Sequence, residues 1–167
     1  DHPVQRRLRD VMSDLCGADA HAFPHGTDGC GIPTLATPLK SLARAMASMA
    51  DPSRLSNKHA EAATRIRAAM NAEPFMVAGS GRFCTRINGA LPGVAQVKTG
   101  AEGVYIAVIP GNDAVLALKA EDGASRASQA ALYGLLELVG LTEADVLEAI
   151  RPSCLPVLKN WRGIEVG

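Results

Sequence analysis

Lys98, Thr99, Gly100 and Glu102 bring an ammonium, a hydroxyl, a bare glycine and a carboxylate to one reversal of the chain. Strand residues feeding a glycine turn hold side chains more firmly than a free loop can, which suits a site that must preorganise charge. The same residues also fit a plain meander whose lysine is solvated at a strand end. A second reactive stretch is His21–Thr34, with His21, His25, Thr27, Asp28 and Cys30 among three glycines and two prolines. Asp28 lies between Thr27 and Gly29, so its carboxylate can accept from nearby backbone donors while the glycines let a ligand come close. Thiolate with imidazole is also zinc chemistry, and Cys16, His21, His25 and Cys30 can be drawn as a four-ligand set. That spacing fits no standard finger, and Pro24 prevents a helical His-x-x-x-His face. An inert thiol in a buried glycine-rich turn is the bland alternative for Cys30.

The elements that must position these groups follow from periodicity. Val94–Lys119 predicts three successive strands: the first carries Val94, Val97 and Lys98, and the others run over Val104–Ile109 and Ala114–Lys119. The links Gly100–Gly103 and Pro110–Asp113 are turn sequences, so the strands are antiparallel. Upstream, Val4, Leu8, Val11 and Leu15 repeat along one face of a helix over 3–15, stopped by Gly17. The stretch 21–34 reads as a loop. Thr37-Pro38 opens a helix with Leu39, Leu42, Met46 and Met49 on one face. Ser56 caps another, running to about Asn71, whose Ala62, Ala63, Ile66, Ala69 and Met70 are expected to face the core. Residues 75–93 read as a turn-rich connection in which Arg82, Cys84 and Thr85 could line a pocket. Beyond the strands, Glu121 and Asp122 precede a helix over about 125–139 that is apolar round most of its circumference and expected against the sheet. Thr142 and Asp145 resemble a capping box for a short helix ending near Pro152. Trp161 is read as packing, and 163–166 as a last strand. Helices segregated around an antiparallel sheet make the class α+β.

Composition excludes several functions. The chain has 167 residues, enough for one domain with a real core, and its 17 basic and 17 acidic residues cancel. With no basic stripe, neither nucleic acid nor an anionic membrane is an expected partner. Apolar runs fall far short of the roughly 20 residues of a membrane span. The opening Asp1–Arg7 is polar and already helical in pattern, which reads as no signal peptide. Four cysteines at irregular spacing do not make a disulfide framework. The expected setting is a reduced cytoplasm. Because the first helix begins without a leading loop, the domain is expected to start upstream of Asp1.

Five motifs occur in order: His2-Pro3-x-Gln5; Gly26-Thr27-Asp28-Gly29-Cys30-Gly31-x-Pro33; Ala69-Met70; Lys98-Thr99-Gly100-Ala101-Glu102-Gly103-Val104-Tyr105; and Leu118-Lys119-x-Glu121-Asp122-Gly123-x-x-Arg126-Ala127. Through them the chain resembles the rhizobial-type L-asparaginases, the asparaginase II family, over nearly its whole length. The resemblance implies the fold of serine β-lactamases and penicillin-binding proteins, of which this chain would form the second half. It implies hydrolysis of L-asparagine to L-aspartate and ammonia by serine nucleophiles paired with lysines, and a zinc ion bound by two cysteines and a lysine. Carried over, Lys98 would act as base or tune the serine's proton. Asp28 would grip the substrate's amino group or orient the metal shell, and Cys30 would be one zinc ligand. Cys84, Thr99, Gly100 and Glu102 would line the substrate site.

One departure is large. No serine is followed three positions later by a lysine, and Ser56-Asn57-Lys58 has the wrong spacing. A lysine base without its nucleophile cannot open the covalent route. The expectation is therefore a C-terminal portion, inactive alone, whose partners are L-asparagine, the N-terminal part of the same enzyme and further copies in a homo-oligomer. Two other readings stay open: a non-catalytic amino-acid-binding domain, and a small metal-binding module built on residues 16–30.

Overall fold

The structure, a computed structural model, describes residues 2–141 and 144–166, without the side chains of 144–146. It is α+β, as expected, and divides into two compact units, Asp1–Ala69 and Met70–Gly167.

The first unit opens with α1 (Pro3–Cys16). His2 Nδ1 accepts from the Val4 N–H at its start, and Gly17 ends it in the left-handed conformation (φ 59°) that glycine adopts without steric cost. Residues 21–34 are not the plain loop that the absence of a period implies. Strands β1 (His25–Thr27) and β2 (Pro33–Leu35) pair antiparallel, Gly26 opposite Thr34. The hairpin is almost wholly exposed, so neither strand needs the apolar alternation that would have revealed it. Helix α2 (Leu39–Ala50) starts from the Pro38 carbonyl, which accepts from Ser41 and Leu42. The Thr37 hydroxyl turns back to Leu35 and caps nothing. Helix α3 (Asn57–Ala72) is capped by Ser56, whose Oγ accepts from the His59 N–H at 3.3 Å. Its expected core face is only partly realised: Ala63 is buried, whereas Ala62, Ile66 and Ala69 are exposed.

The second unit carries the sheet. Strands β3 (Gln96–Thr99), β4 (Val104–Ile109) and β5 (Ala114–Lys119) pair antiparallel in that order. Residues 75–93 form two helices instead of a turn-rich link, α4 (Pro74–Ala78) and α5 (Phe83–Ala90). Phe83, Cys84 and Ile87 on α5 join Val97, Tyr105, Ala107 and Ile109 from the sheet in one core. Helix α6 (Ser125–Leu138) adds Leu132, Tyr133 and Leu136, and α7 (Ala144–Cys154) adds Leu147, Ile150 and Cys154. Only one face of α6 is covered, since Ala127, Ala131 and Leu138 are exposed. The expected capping box at Thr142 and Asp145 lies outside the described residues. The segment 158–166 folds back through the bridge Lys159–Glu165, and Trp161 at its tip is fully exposed instead of packed.

Because β3 is a sheet edge, its outer backbone groups need partners from elsewhere. Helix α5 supplies them. The Val97 N–H donates to Asn88 Oδ1 at 2.7 Å, and Asn88 Nδ2 donates to the Val97 carbonyl at 3.0 Å. One helical turn away, Cys84 Sγ accepts from the Thr99 N–H at 3.2 Å.

Candidate functional site

Four of the residues expected to line a substrate site meet at the end of the sheet where β3 turns into β4. Cys84, Thr99, Gly100 and Glu102 line a cleft of about 440 Å³ together with Arg82, Tyr105, Ser125 and Gln129. The cleft lies wholly within the second unit.

Its geometry follows from the turn between β3 and β4. The Val104 N–H donates to the Ala101 carbonyl at 3.3 Å, with Glu102 (φ 52°) and Gly103 (φ 74°) as the central residues. Positive φ at both central positions defines a type I′ turn, whose usual first central residues are asparagine, aspartate or glycine. Glutamate there is strained, and strain at one residue points to a role for its side chain. Gly103 is fixed by packing: a Cβ there would lie 2.8 Å from Ala120 Cβ and 3.1 Å from the Gly123 backbone. The Ala120 N–H donates to the Gly103 carbonyl at 3.0 Å, tying this turn to the loop that starts α6. In that loop Asp122 Oδ1 accepts from the Ala124 N–H at 2.9 Å, so Asp122 helps shape the start of α6.

Polar groups of both signs face this space. Glu102 brings a carboxylate and Arg82 a guanidinium, both on exposed residues. On the buried side, Tyr105 stacks edge-on against Phe83, ring centroids 5.3 Å apart. Its hydroxyl accepts a long bond, 3.4 Å, from Gln129 Nε2. Burial pushes the Cys84 thiol above its usual range, against weaker downward pulls from the Thr99 N–H, Lys98 and Arg82. Cys84 is thus a neutral thiol that seals the strand edge as well as lining the cleft.

Lys98 does not line the cleft. Alternation along β3 places Val97 and Thr99 on one face and Lys98 on the other. Half-buried, it curls along its own strand, and Nζ donates to the Thr99 carbonyl at 2.6 Å. Thr85 is likewise absent from the lining, its hydroxyl donating to the Gly79 carbonyl at 2.7 Å.

Asp28 and Cys30 stand together at the tip of the β1–β2 hairpin in the first unit. Asp28 Oδ1 accepts from the Gly29 N–H at 2.7 Å, and Cys30 Sγ lies 3.8 Å from Asp28 Oδ2. Both are exposed, so Cys30 is not the thiol of a buried turn. The four-ligand set drawn from residues 16–30 does not form. Cys16 is buried while Cys30 is exposed, and no group of three or more metal-ligating His, Cys, Asp or Glu side chains is found among the described residues. Two donors, a thiol and a carboxylate, fall short of the four that a closed zinc site takes. A separate cleft of about 370 Å³ in the first unit is lined by Gln5, Arg6, Arg9, His21, His25 and Pro33. There His21 Nε2 pairs with Asp10 Oδ1 at 2.7 Å.

The family model described as L-asparaginase II matches residues 1–167. The chain belongs to the L-asparaginase II family. The family is one of asparagine-hydrolysing amidohydrolases, in agreement with the ordered motifs. Comparison with curated proteins gives no match. No helix among the described residues is long and apolar enough to cross a membrane.

Three contributors to this L-asparaginase-family cleft escape a reading of the sequence as site residues, Tyr105, Ser125 and Gln129, and so does its support Asn88. Gln129 had one signal, a polar side chain on a helix otherwise rich in alanine and leucine. Asn88 had none, because the residues around it read as turn.

Proposed function

We propose that the chain is part of an amidohydrolase that converts L-asparagine to L-aspartate and ammonia, and that the cleft at the β3–β4 turn holds the amino acid. The observation that carries this reading is the convergence of Thr99, Gly100 and Glu102 with Arg82 in one cleft of a chain from this family. An α-amino acid is a zwitterion. A carboxylate matches its ammonium and a guanidinium its carboxylate, each through a charge-assisted bond. The Thr99 hydroxyl and the glycine backbone leave room for close approach. Cys84 serves from below, by holding the Thr99 N–H.

Lys98 is the proposed base, its Nζ having to swing round the end of β3 from the face opposite the cleft. Released from the Thr99 carbonyl and shielded from water, its amine would accept the proton of a serine nucleophile and return it to the leaving ammonia. That serine is proposed to come from an N-terminal part of the same enzyme, because no Ser-x-x-Lys pair occurs in these residues. On this reading the chain alone binds and does not turn over. Asp28 is proposed to orient a metal shell. Cys30 is proposed as one ligand of a zinc ion whose other ligands lie elsewhere. Assembly with the serine-bearing part and with further copies of the chain is also proposed. Exposed Leu155, Val157, Leu158, Trp161, Ile164 and Val166 near the C-terminus support it, because apolar groups concentrated at a surface mark contact regions. Four free cysteines support a cytoplasmic setting.

The test is ammonia release from L-asparagine by the chain with and without the serine-bearing part. Turnover only in the combined preparation, lost in Lys98→Ala, supports the reading. Unchanged turnover in Lys98→Ala removes Lys98 from the mechanism.

A further inference from the structure

We infer that Tyr105 and Gln129 form the specificity floor of the cleft, reading the side-chain carboxamide of the ligand and setting L-asparagine apart from L-aspartate. This inference rests on the proposal that the cleft holds an amino acid.

Tyr105 is 4% exposed, yet it is one of the residues that line the cleft. Its register on β4, opposite Thr99 of β3 and Leu118 of β5, fixes the backbone from both sides. The Phe83 ring, at an interplanar angle of 77°, fixes the aromatic plane. A phenol has one proton to donate and two lone pairs to accept. Gln129 Nε2 uses one lone pair at 3.4 Å, and the hydroxyl proton has no acceptor among the described residues. Because the residue lines the cleft, that proton can be given to a ligand acceptor there.

Gln129 gives the complementary half. With Nε2 directed at the phenol, its Oε1 is left to accept. Phenol donor and amide acceptor together match one chemical group in particular, a primary carboxamide: its C=O accepts from Tyr105 and its N–H donates to Gln129. A carboxylate can take the phenol proton but has nothing to offer Oε1, and the two oxygens repel. Sites built on paired hydrogen bonds reject ligands that lack one member, because a buried polar group is then stranded. Glu102 and Arg82, at the exposed side, would hold the parts that L-asparagine and L-aspartate share. The floor therefore contributes the discrimination, and the rim contributes the common affinity.

The experiment is calorimetric titration of the 167-residue chain with L-asparagine and with L-aspartate, in wild type, Tyr105→Phe and Gln129→Leu. Tyr105→Phe removes the hydroxyl and keeps the ring against Phe83, so its melting temperature checks that the fold is intact. Each variant is expected to bind L-asparagine about tenfold more weakly, the scale of one lost hydrogen bond. Tyr105→Phe takes a hydrogen bond from the carboxylate as well, so L-aspartate is expected to weaken with it. Gln129→Leu removes the repelling Oε1, so L-aspartate is expected to bind as well as before or better, and the preference for the amide collapses in that variant. A Gln129→Leu variant that keeps the wild-type preference, or a Tyr105→Phe variant that binds L-asparagine as tightly as wild type, overturns the inference and leaves the cleft reading standing. A wild-type chain that binds neither amino acid overturns both.

Discussion

Replacing Glu102 is expected to stabilise the protein and weaken its ligand binding at once. Glu102 sits at φ 52° as the first central residue of a two-residue type I′ turn. A side chain in this left-handed region costs about 1–2 kcal/mol through its Cβ. Glu102→Gly removes that cost but widens the unfolded ensemble, which takes back about 0.4–1 kcal/mol. The net gain is about 0.5–1 kcal/mol, or a rise of about 2 °C in melting temperature for a chain of this size. Glu102→Asn should gain similarly, since Asn-Gly suits this turn without the full entropy of a second glycine. Neither change touches the Gly103 contacts with Ala120 and Gly123, so the turn itself should persist. Loss of the carboxylate removes a charge-assisted bond to the ligand's ammonium, worth about 1.5–3 kcal/mol. That is roughly a 10- to 150-fold rise in Kd for L-asparagine. Thermal unfolding followed by circular dichroism, paired with calorimetric titration, reads both quantities on the same samples. A variant that melts below wild type and binds as well as it does would contradict both the strain and the contact with the ligand's ammonium.

Three further outcomes are expected. Asn88→Ala strands the Val97 N–H and carbonyl at the edge of β3, a loss of about 2–4 kcal/mol that should appear as a lower melting temperature and faster hydrogen exchange at the Val97 amide. Of the four thiols, Cys30 alone is exposed, so a thiol reagent at pH 8 should label one residue per chain rapidly and Cys16, Cys84 and Cys154 slowly; several fast thiols would show that these three are not sealed. Burial pushes the Cys154 thiol from 9.0 up to about 11, so the folded state holds that proton more tightly than the unfolded one. This contribution is complete below pH 9 and fades as pH climbs toward 11, an alkaline loss of about 2–3 kcal/mol in urea melts that Cys154→Ala should flatten. A wild-type curve that stays level over that range would contradict it.

The sheet was the legible part of this fold. Val104–Ile109 and Ala114–Lys119 are apolar runs bounded by glycine and proline turns, and local turn chemistry alone sets their antiparallel order. Helix α5 was hidden because Gly79, Gly81 and Pro92 around it and Gly89 within it read as punctuation, while only Phe83, Cys84 and Ile87 marked its buried face. The β1–β2 hairpin was hidden by exposure, which leaves no alternation to read. On α3 the period was correct but its consequence was not: Ile66 lies at core spacing and is 49% exposed, since a helical stripe shows which side is apolar and not what covers it. Trp161 failed for the same reason. In the site, motif residues Thr99, Gly100 and Glu102 came together because they share one turn. Ser125 and Gln129 reach the cleft only through the docking of α6 on the sheet, a long-range contact that no local pattern carries.

Backbone amide chemical shifts, followed while L-asparagine is titrated into the chain, show where the ligand sits. Saturable shifts are expected at Thr99, Gly100, Ala101, Gly103 and Gln129, with the cleft lined by Arg6, Arg9, His21 and His25 undisturbed. Shifts confined to those four residues, or none at any ligand concentration, would contradict binding at the β3–β4 turn.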